Sequence, residues 1–210
     1  MYEKYIKRAL DVAFSLVSMV ALCPLFLLIA VLIKLDSPGP VIFSQKRYGK
    51  DKALFDIYKF RSMRSDAPHD VPTNDLRGAS GYITPLGKIL RKTSLDELPQ
   101  LWNILKGDMS LIGPRPALWN QYDLMELRDR YGASGVRPGL SGWAQVNGRD
   151  YLSRDLEKKA RRDAEYAKNI SFWFDLKCFL LTLVKVVNRQ GIVEGQEGKA
   201  HPQENKEDKP

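Results

Sequence analysis

Two adjacent carboxylates, Asp96 and Glu97, stand near the start of an apolar stretch in the segment Ser94-Leu95-Asp96-Glu97-Leu98-Pro99. The spacing from Ser94 to Glu97 matches a capping box, in which the serine caps a helix and the glutamate reaches back to it. The same position also carries a chemical reading. A helix N-terminus favours anions, keeps a carboxylate ionised and leaves backbone N–H groups open to a phosphate. An ionised Asp96 there could act as a nucleophile or as a magnesium ligand. Phosphate chemistry also needs cations held in place. Arg115 lies between Pro114 and Pro116, whose rings restrict the torsions around it. Arg149 follows the tight-turn dipeptide Asn147-Gly148, and Lys59 closes a β-prone run. Any one of these alone reads as a solvated surface cation. Beside a carboxylate pair they form a set suited to a phosphorylated substrate.

These residues must be positioned, and the first element that bears on this is apolar. Val12 to Ile33 carries no charged side chain and is interrupted near its centre by Pro24. A straight helix of that length reaches roughly 33 Å, enough to cross a bilayer core of about 30 Å. Proline removes a helical hydrogen bond and splits the run into two arms of about 16 Å, each only half a crossing. Cations flank both ends: Lys4, Lys7 and Arg8 before the run, and Lys34, Lys46, Arg47, Lys50 and Lys52 after it. If both flanks stay cytoplasmic, the run dips into one leaflet and returns; a kinked full crossing is the competing reading. A cleaved signal peptide does not fit, because no small-residue cleavage pattern follows.

The net charge of +8 understates the body. From Glu194 onward the tail holds five acids and three lysines, which leaves +10 on residues 1–193. A basic body suits anionic headgroups or phosphorylated substrates. Nucleic acid is not expected as a partner, since the basic residues are dispersed among apolar segments and no nucleic-acid-binding signature is present. Cys23 and Cys178 both lie in apolar segments, which implies free thiols in a reducing compartment. With only His69 and His201 available, a structural zinc site is not expected.

Val41-Ile42-Phe43 and Leu54 to Tyr58 read as a hairpin around Gly49-Lys50-Asp51. Ser65 to Tyr82, with two prolines and two glycines, reads as a mobile loop. Thr84-Pro85 starts a helix through about Arg91, and a second runs from Ser94–Asp96 to Lys106, stopped by Gly107. Gly113-Pro114-Arg115-Pro116 is a rigid extended turn, followed by a helix from about Leu118 to Arg130. Val136 to Arg149 reads mostly as loop, and Ser153 to Ala167 as a charged helix. On the last helix, Ile170 to Arg189, Phe172, Trp173, Leu176, Phe179, Leu180, Leu183, Val184, Val186 and Val187 form a wide apolar face. Asp175, Lys177, Thr182, Lys185, Asn188 and Arg189 lie opposite. That face fits either a core-packing helix or one lying in the plane of a membrane interface.

The strings KFRSM, LRKTSLDELPQLWNILKGDMSLIGPRP and VRPGLSGWAQVNGR closely resemble the bacterial sugar transferase family, the monotopic polyprenyl-phosphate phosphoglycosyl transferases. The likeness runs from Tyr2 to about Val193, and the short length resembles the minimal members, the type that transfers N,N′-diacetylbacillosamine 1-phosphate. It implies a fold that is mainly α with a small β-hairpin, an N-terminal re-entrant membrane helix and amphipathic interfacial helices. The expected division is 1–36 re-entrant helix, 37–193 cytoplasmic catalytic domain and 194–210 disordered tail. The implied location is the cytoplasmic face of the bacterial inner membrane, in one leaflet.

The implied reaction moves a phosphosugar from a UDP-sugar to polyprenyl phosphate, releases UMP and starts glycoconjugate assembly. Asp96 would be the nucleophile and Mg²⁺ ligand, with Glu97 assisting. Lys59, Arg115 and Arg149 would bind the diphosphate, and Arg91 is a further cation with a binding or structural role. A hexose-1-phosphate transferase for capsule or O-antigen is the alternative within the class, and a non-catalytic membrane scaffold the alternative outside it. Downstream glycosyltransferases are candidate partners. One departure concerns the anchor: the family often has Ser-Pro at the helix break, and this chain has Cys23-Pro24. A thiol bonds a freed carbonyl only weakly, so the break should persist while its angle is open.

Overall fold

The computed structural model describes residues 1–71, 78–148 and 155–187. The fold is mostly helical with a small antiparallel sheet, and its elements follow the chain order closely. A wide π-helical turn, Tyr2–Ile6, leads into α1 (Lys7–Ala21), and after a break at Leu22 the chain continues as α2 (Cys23–Asp36). Pro24 occupies the first turn of α2, where its missing N–H costs no hydrogen bond, and the two helices meet at a 63° bend. Among the described residues no single helix is long and apolar enough to cross a membrane, and this bent pair passes only as a broken unit.

Both ends of the pair are fastened to the same body. Two of the expected headgroup cations are used inside the protein instead. Lys7 donates to the buried Asp175 at 2.7 Å, and Arg8 caps the far end of the catalytic helix through the Ile104 and Leu105 carbonyls. At the other end, Asp36 accepts from the Leu86 N–H, and the buried Arg61 guanidinium donates to the Ser37 carbonyl at 2.6 Å.

Strands β1 (Ile42–Tyr48) and β2 (Leu54–Phe60) pair antiparallel with Ile42 opposite Phe60 and Tyr48 opposite Leu54, so the expected hairpin is present with longer arms. Part of the expected mobile loop is instead a short helix, α3 (Ala79–Tyr82); residues 72–77 of that loop lie outside the described residues. Helix α4 (Pro85–Lys92) starts as anticipated: the Thr84 side chain accepts from the Gly87 N–H and Pro85 occupies the first turn.

The second helix differs from expectation. Ser94 has a left-handed backbone (φ 57°) and makes no side-chain cap, so the capping box does not form. Leu95–Glu97 is a 3₁₀ turn, and α5 (Gln100–Lys106) begins only after Pro99. Glu97 is drawn away from the serine by two cations, described below. Gly107 (φ 97°) ends α5 as anticipated.

Two further differences lie downstream. Val136 to Arg149 is not mainly loop: β4 (Gly139–Ser141) pairs parallel with β3 (Ser110–Ile112), and a short α7 (Trp143–Val146) follows. Backbone meets backbone here, because a Cβ at Gly139 would collide with Gly113. Helix α6 (Tyr122–Tyr131) starts four residues later than expected, since the Gln121 side chain accepts the Leu118 N–H and holds a turn there. Helix α8 (Leu156–Lys168) is capped by Asp155, and α9 (Phe172–Val187) closes the described chain; the expected tail, 194–210, lies outside it.

Helix α9 corrects the wheel reading. Its supposedly polar side enters the body: Asp175 and Cys178 are buried, and Thr182 meets Ser141 at 2.6 Å. Much of the apolar face stays outside, with Trp173 75% and Val184 54% exposed. Phe179 is an exception, packing edge-on against Phe14 of α1.

Candidate active site

The turn that carries Asp96 and Glu97 is anchored by its neighbours. Leu95 and Leu98, on either side of the pair, pack against Ile29 and Ile33 of α2, Phe60 and Leu90. The bent helix pair therefore supports the carboxylates from below. Helix α5 is registered to β2 by the fully buried Asn103, whose amide donates to the Asp56 carbonyl and accepts from the Tyr58 N–H at 3.0 Å. That places Lys59, the next residue along β2, over the turn.

From the other side comes Arg115. Its loop is locked where the Gly113 N–H donates to the Ser141 carbonyl (2.8 Å) and the Gly139 N–H donates to the Pro114 carbonyl (2.9 Å). Arg128, itself paired with the buried Asp163 at 2.6 Å, donates to the Arg115 carbonyl. Two prolines alone do not aim this guanidinium; the parallel β3–β4 pair does.

The result is an unequal pair of carboxylates. Glu97 Oε1 accepts from Lys59 Nζ at 3.1 Å and from Arg115 Nη2 at 2.7 Å. Asp96, 8% exposed, accepts no hydrogen bond among the described residues. Burial pushes its pKa up to about 6; Lys59 beside it pulls down and the Glu97 charge pushes up again. Burial also lowers the Lys59 ammonium, with Glu97 acting in the opposite sense. Neighbouring carboxylates in unlike environments are how a site gives one of them a holding role and the other a reactive role.

Of the residues singled out in the sequence, Asp96, Glu97, Lys59 and Arg115 come together here. Arg91, at the end of α4, lies within electrostatic reach of Asp96. Arg149 lies outside the described residues. Cys23 and Pro24 sit at the helix break, apart from this cluster. Sequence reasoning missed Arg47, counted only as a flank of the apolar run. It lies within electrostatic reach of Glu97 and Arg115, and its Nε has no partner among the described residues. The signal was there as a period of two: Phe43, Gln45 and Arg47 share the inner side of β1.

The bacterial sugar transferase family model matches residues 2–189, nearly the whole described chain. This chain belongs to the bacterial sugar transferase family. The chain is 41% identical over 193 residues to the UDP-glucose:undecaprenyl-phosphate glucose-1-phosphate transferase of Escherichia coli (strain K12), covering 87% of this chain and 40% of that protein. It is 42% identical over 195 residues to the UDP-N-acetylgalactosamine-undecaprenyl-phosphate N-acetylgalactosaminephosphotransferase of Aeromonas hydrophila, covering 89% and 45%. A sugar transferase of similar length, the uncharacterized EpsL of Bacillus subtilis (strain 168), is 38% identical over 189 residues, covering 89% and 90%. The chain thus spans less than half the length of the first two relatives.

Proposed function

We propose that this sugar transferase moves a sugar 1-phosphate from a UDP-sugar to undecaprenyl (polyprenyl) phosphate and releases UMP, through a phosphosugar carried on Asp96. The observation that carries this reading is the division of labour between the carboxylates. Glu97 is committed to Lys59 and Arg115, while Asp96 has unclaimed oxygens in a turn faced by cations. In the first step an Asp96 oxygen bonds to the β-phosphorus, the bond from that phosphorus to the bridging oxygen breaks, and UMP leaves with the electron pair. In the second, a lipid-phosphate oxygen takes the phosphosugar and Asp96 returns as carboxylate. Charge develops on phosphoryl oxygens in both steps, and Lys59 and Arg115, held by Glu97, stand where they can stabilise it. Glu97 thus acts by orienting these cations.

Magnesium fits this donor set. Among the described residues no three His, Cys, Asp or Glu side chains come together, so a cage made wholly of protein ligands is not formed by them. Mg²⁺ often needs only one or two carboxylates, with substrate phosphates and water completing its shell. Asp96 has the free oxygens to hold it. When bound, the ion would neutralise charge on the diphosphate and make UMP a better leaving group.

The membrane reading rests on the same scaffold. Apolar side chains of α1, α2 and α9 face outward, among them Val17, Val20, Leu27, Val31, Trp173 and Val184. Since both ends of the bent pair bond to one body, a dip into one leaflet keeps the hydrogen bonds that a full crossing would break. This would hold Asp96 near headgroup depth on the cytoplasmic face of the inner membrane. There a water-soluble UDP-sugar, a lipid phosphate and the downstream glycosyltransferases that extend the product can all reach it.

The names of the relatives include both a glucose and an N-acetylgalactosamine donor, so the experiment is a panel of UDP-hexoses, UDP-acetamidosugars and the UDP-diacetamido sugar with polyprenyl phosphate and Mg²⁺. UMP release with at least one donor, lost in Asp96→Asn, is expected. Absence of UMP with every donor would leave the scaffold as the better account.

A further inference from the structure

Helix α8 carries several basic residues, and one is treated unlike its neighbours. On the outer face, Lys158 pairs with Asp155 (3.2 Å), Arg161 with Glu157 (2.7 Å) and Arg162 with Glu165 (2.8 Å). Lys159 lies on the inner side, next to the fully buried Ala160 and one turn before the buried Asp163. Asp163 is occupied by Arg128, whose guanidinium also holds the Arg115 backbone. Half-buried Lys159 has no hydrogen-bond or ion-pair partner among the described residues. Its surroundings are largely cationic: Arg128, Arg115 and Arg47 lie within electrostatic reach, with Asp163 the one opposing charge. Arg47 has the same problem, an Nε without a partner and Arg115 beside it.

Desolvated like charges without acceptors are costly, and proteins relieve that cost by pairing, neutralising or binding an anion. Burial first, then Arg128, push the Lys159 ammonium down to about 8. An anion with several charged oxygens would relieve Lys159, Arg47 and the outward side of Arg115 together. A phosphoryl group has this chemistry, and lysine meets it as a compact point charge.

We propose that Lys159 is a phosphate-binding residue of this active site, reaching in from α8 to complete, with Arg47 and Arg115, a cationic pocket for a phosphoryl group. This rests on the sugar-phosphate transfer reading. The phosphoryl group belongs either to the nucleotide-sugar diphosphate or to the lipid phosphate, and the test separates these sources.

The full chain in detergent is compared with Lys159→Met and Lys159→Arg in three measurements: KM for the UDP-sugar, KM for polyprenyl phosphate, and Kd for inorganic pyrophosphate by calorimetry. In Lys159→Met, one KM or the pyrophosphate Kd should rise about tenfold, and Lys159→Arg should recover most of it. A rise in the UDP-sugar KM assigns the diphosphate, and a rise in the polyprenyl phosphate KM assigns the lipid. A second readout uses the wild-type chain. Amine acetylation followed by peptide mass spectrometry should label Lys159, and pyrophosphate should protect it while leaving Lys158 labelled. Unchanged KM and Kd values in a folded Lys159→Met would overturn the proposal, and so would unprotected labelling. Should the wild type release no UMP from any donor, the transfer reading fails by itself, while pyrophosphate binding and protection still decide Lys159.

Discussion

Asp175 and Asp96 are both buried aspartates beside a lysine, and their environments could hardly differ more. At Asp175 every oxygen is taken. Tyr166 donates to Oδ1 at 2.6 Å, while Lys7 and Tyr2 both donate to Oδ2 at 2.7 Å. This cluster ties the N-terminal helix to α9 and, through the Tyr166 hydroxyl and the Ile112 carbonyl, to β3. At Asp96 the oxygens are unclaimed, the neighbouring Glu97 takes the nearby cations, and Arg47 and Lys159 lack acceptors. A fully paired buried cluster has nothing left to offer a ligand and serves the fold. A cluster with bare oxygens and surplus cations is incomplete without one.

The comparison can be broken at its structural end first. Lys7→Met leaves the Asp175 charge buried with only hydroxyl donors, so a loss of about 3–5 kcal/mol in stability is expected. Urea titration measures it, and the turnover of the fraction that remains folded should stay within about twofold of wild type, because Lys7 touches no residue of the catalytic turn. A large fall in turnover at full folding would erase the distinction between the clusters.

At the reactive end, Glu97→Gln keeps the shape and removes the charge that holds Lys59 and Arg115. We expect kcat/KM for UMP release to fall about 10²-fold. The melting temperature should move far less than in Lys7→Met. Equal damage to stability would make Glu97 a structural residue.

The pH dependence sharpens the contrast further. Because the Asp96 carboxyl is raised to about 6, its charged form is disfavoured in the fold, and the stability associated with it is present below about pH 4 and lost as pH rises through about 6. Asp96→Asn should therefore gain stability over wild type at pH 8 relative to pH 4, on the order of 2–3 kcal/mol, read by denaturation at the two values. Activity runs the opposite way, since the nucleophile must be ionised. UMP release should fall as pH drops below about 6. A pH-independent difference in stability between variant and wild type would remove the strained carboxylate from the account.

Parts of this were legible in the chain. The Thr84-Pro85 helix start, the Gly107 stop, the hairpin and the break near Pro24 follow from local backbone chemistry, and each is found. Asp96, Glu97, Lys59 and Arg115 were identifiable by residue type and motif, though not by contact. Local pattern misled where tertiary partners compete for a group. Ser94-x-x-Glu97 satisfies a capping box, but two cations outbid the serine for the glutamate, and the serine turns left-handed. The wheel of α9 put Asp175 on the solvent side because it is charged. No helical period reveals that Lys7, far away in sequence, buries it. The β3–β4 pairing was hidden for the same reason: three-residue strands carry almost no periodic signal, and only the collision between Gly113 and any side chain at Gly139 requires them to touch.

The central claim is that Asp96 is the bare, reactive carboxylate and carries the phosphosugar. Its most direct test is the intact mass of the full chain after rapid-quench incubation with Mg²⁺ and a UDP-sugar that supports turnover, in the absence of polyprenyl phosphate. A mass increase of one phosphosugar, mapped to the peptide containing Asp96, absent in Asp96→Asn and discharged by added polyprenyl phosphate, is expected. Turnover without any adduct at any quench time, or the same adduct in Asp96→Asn, would contradict it.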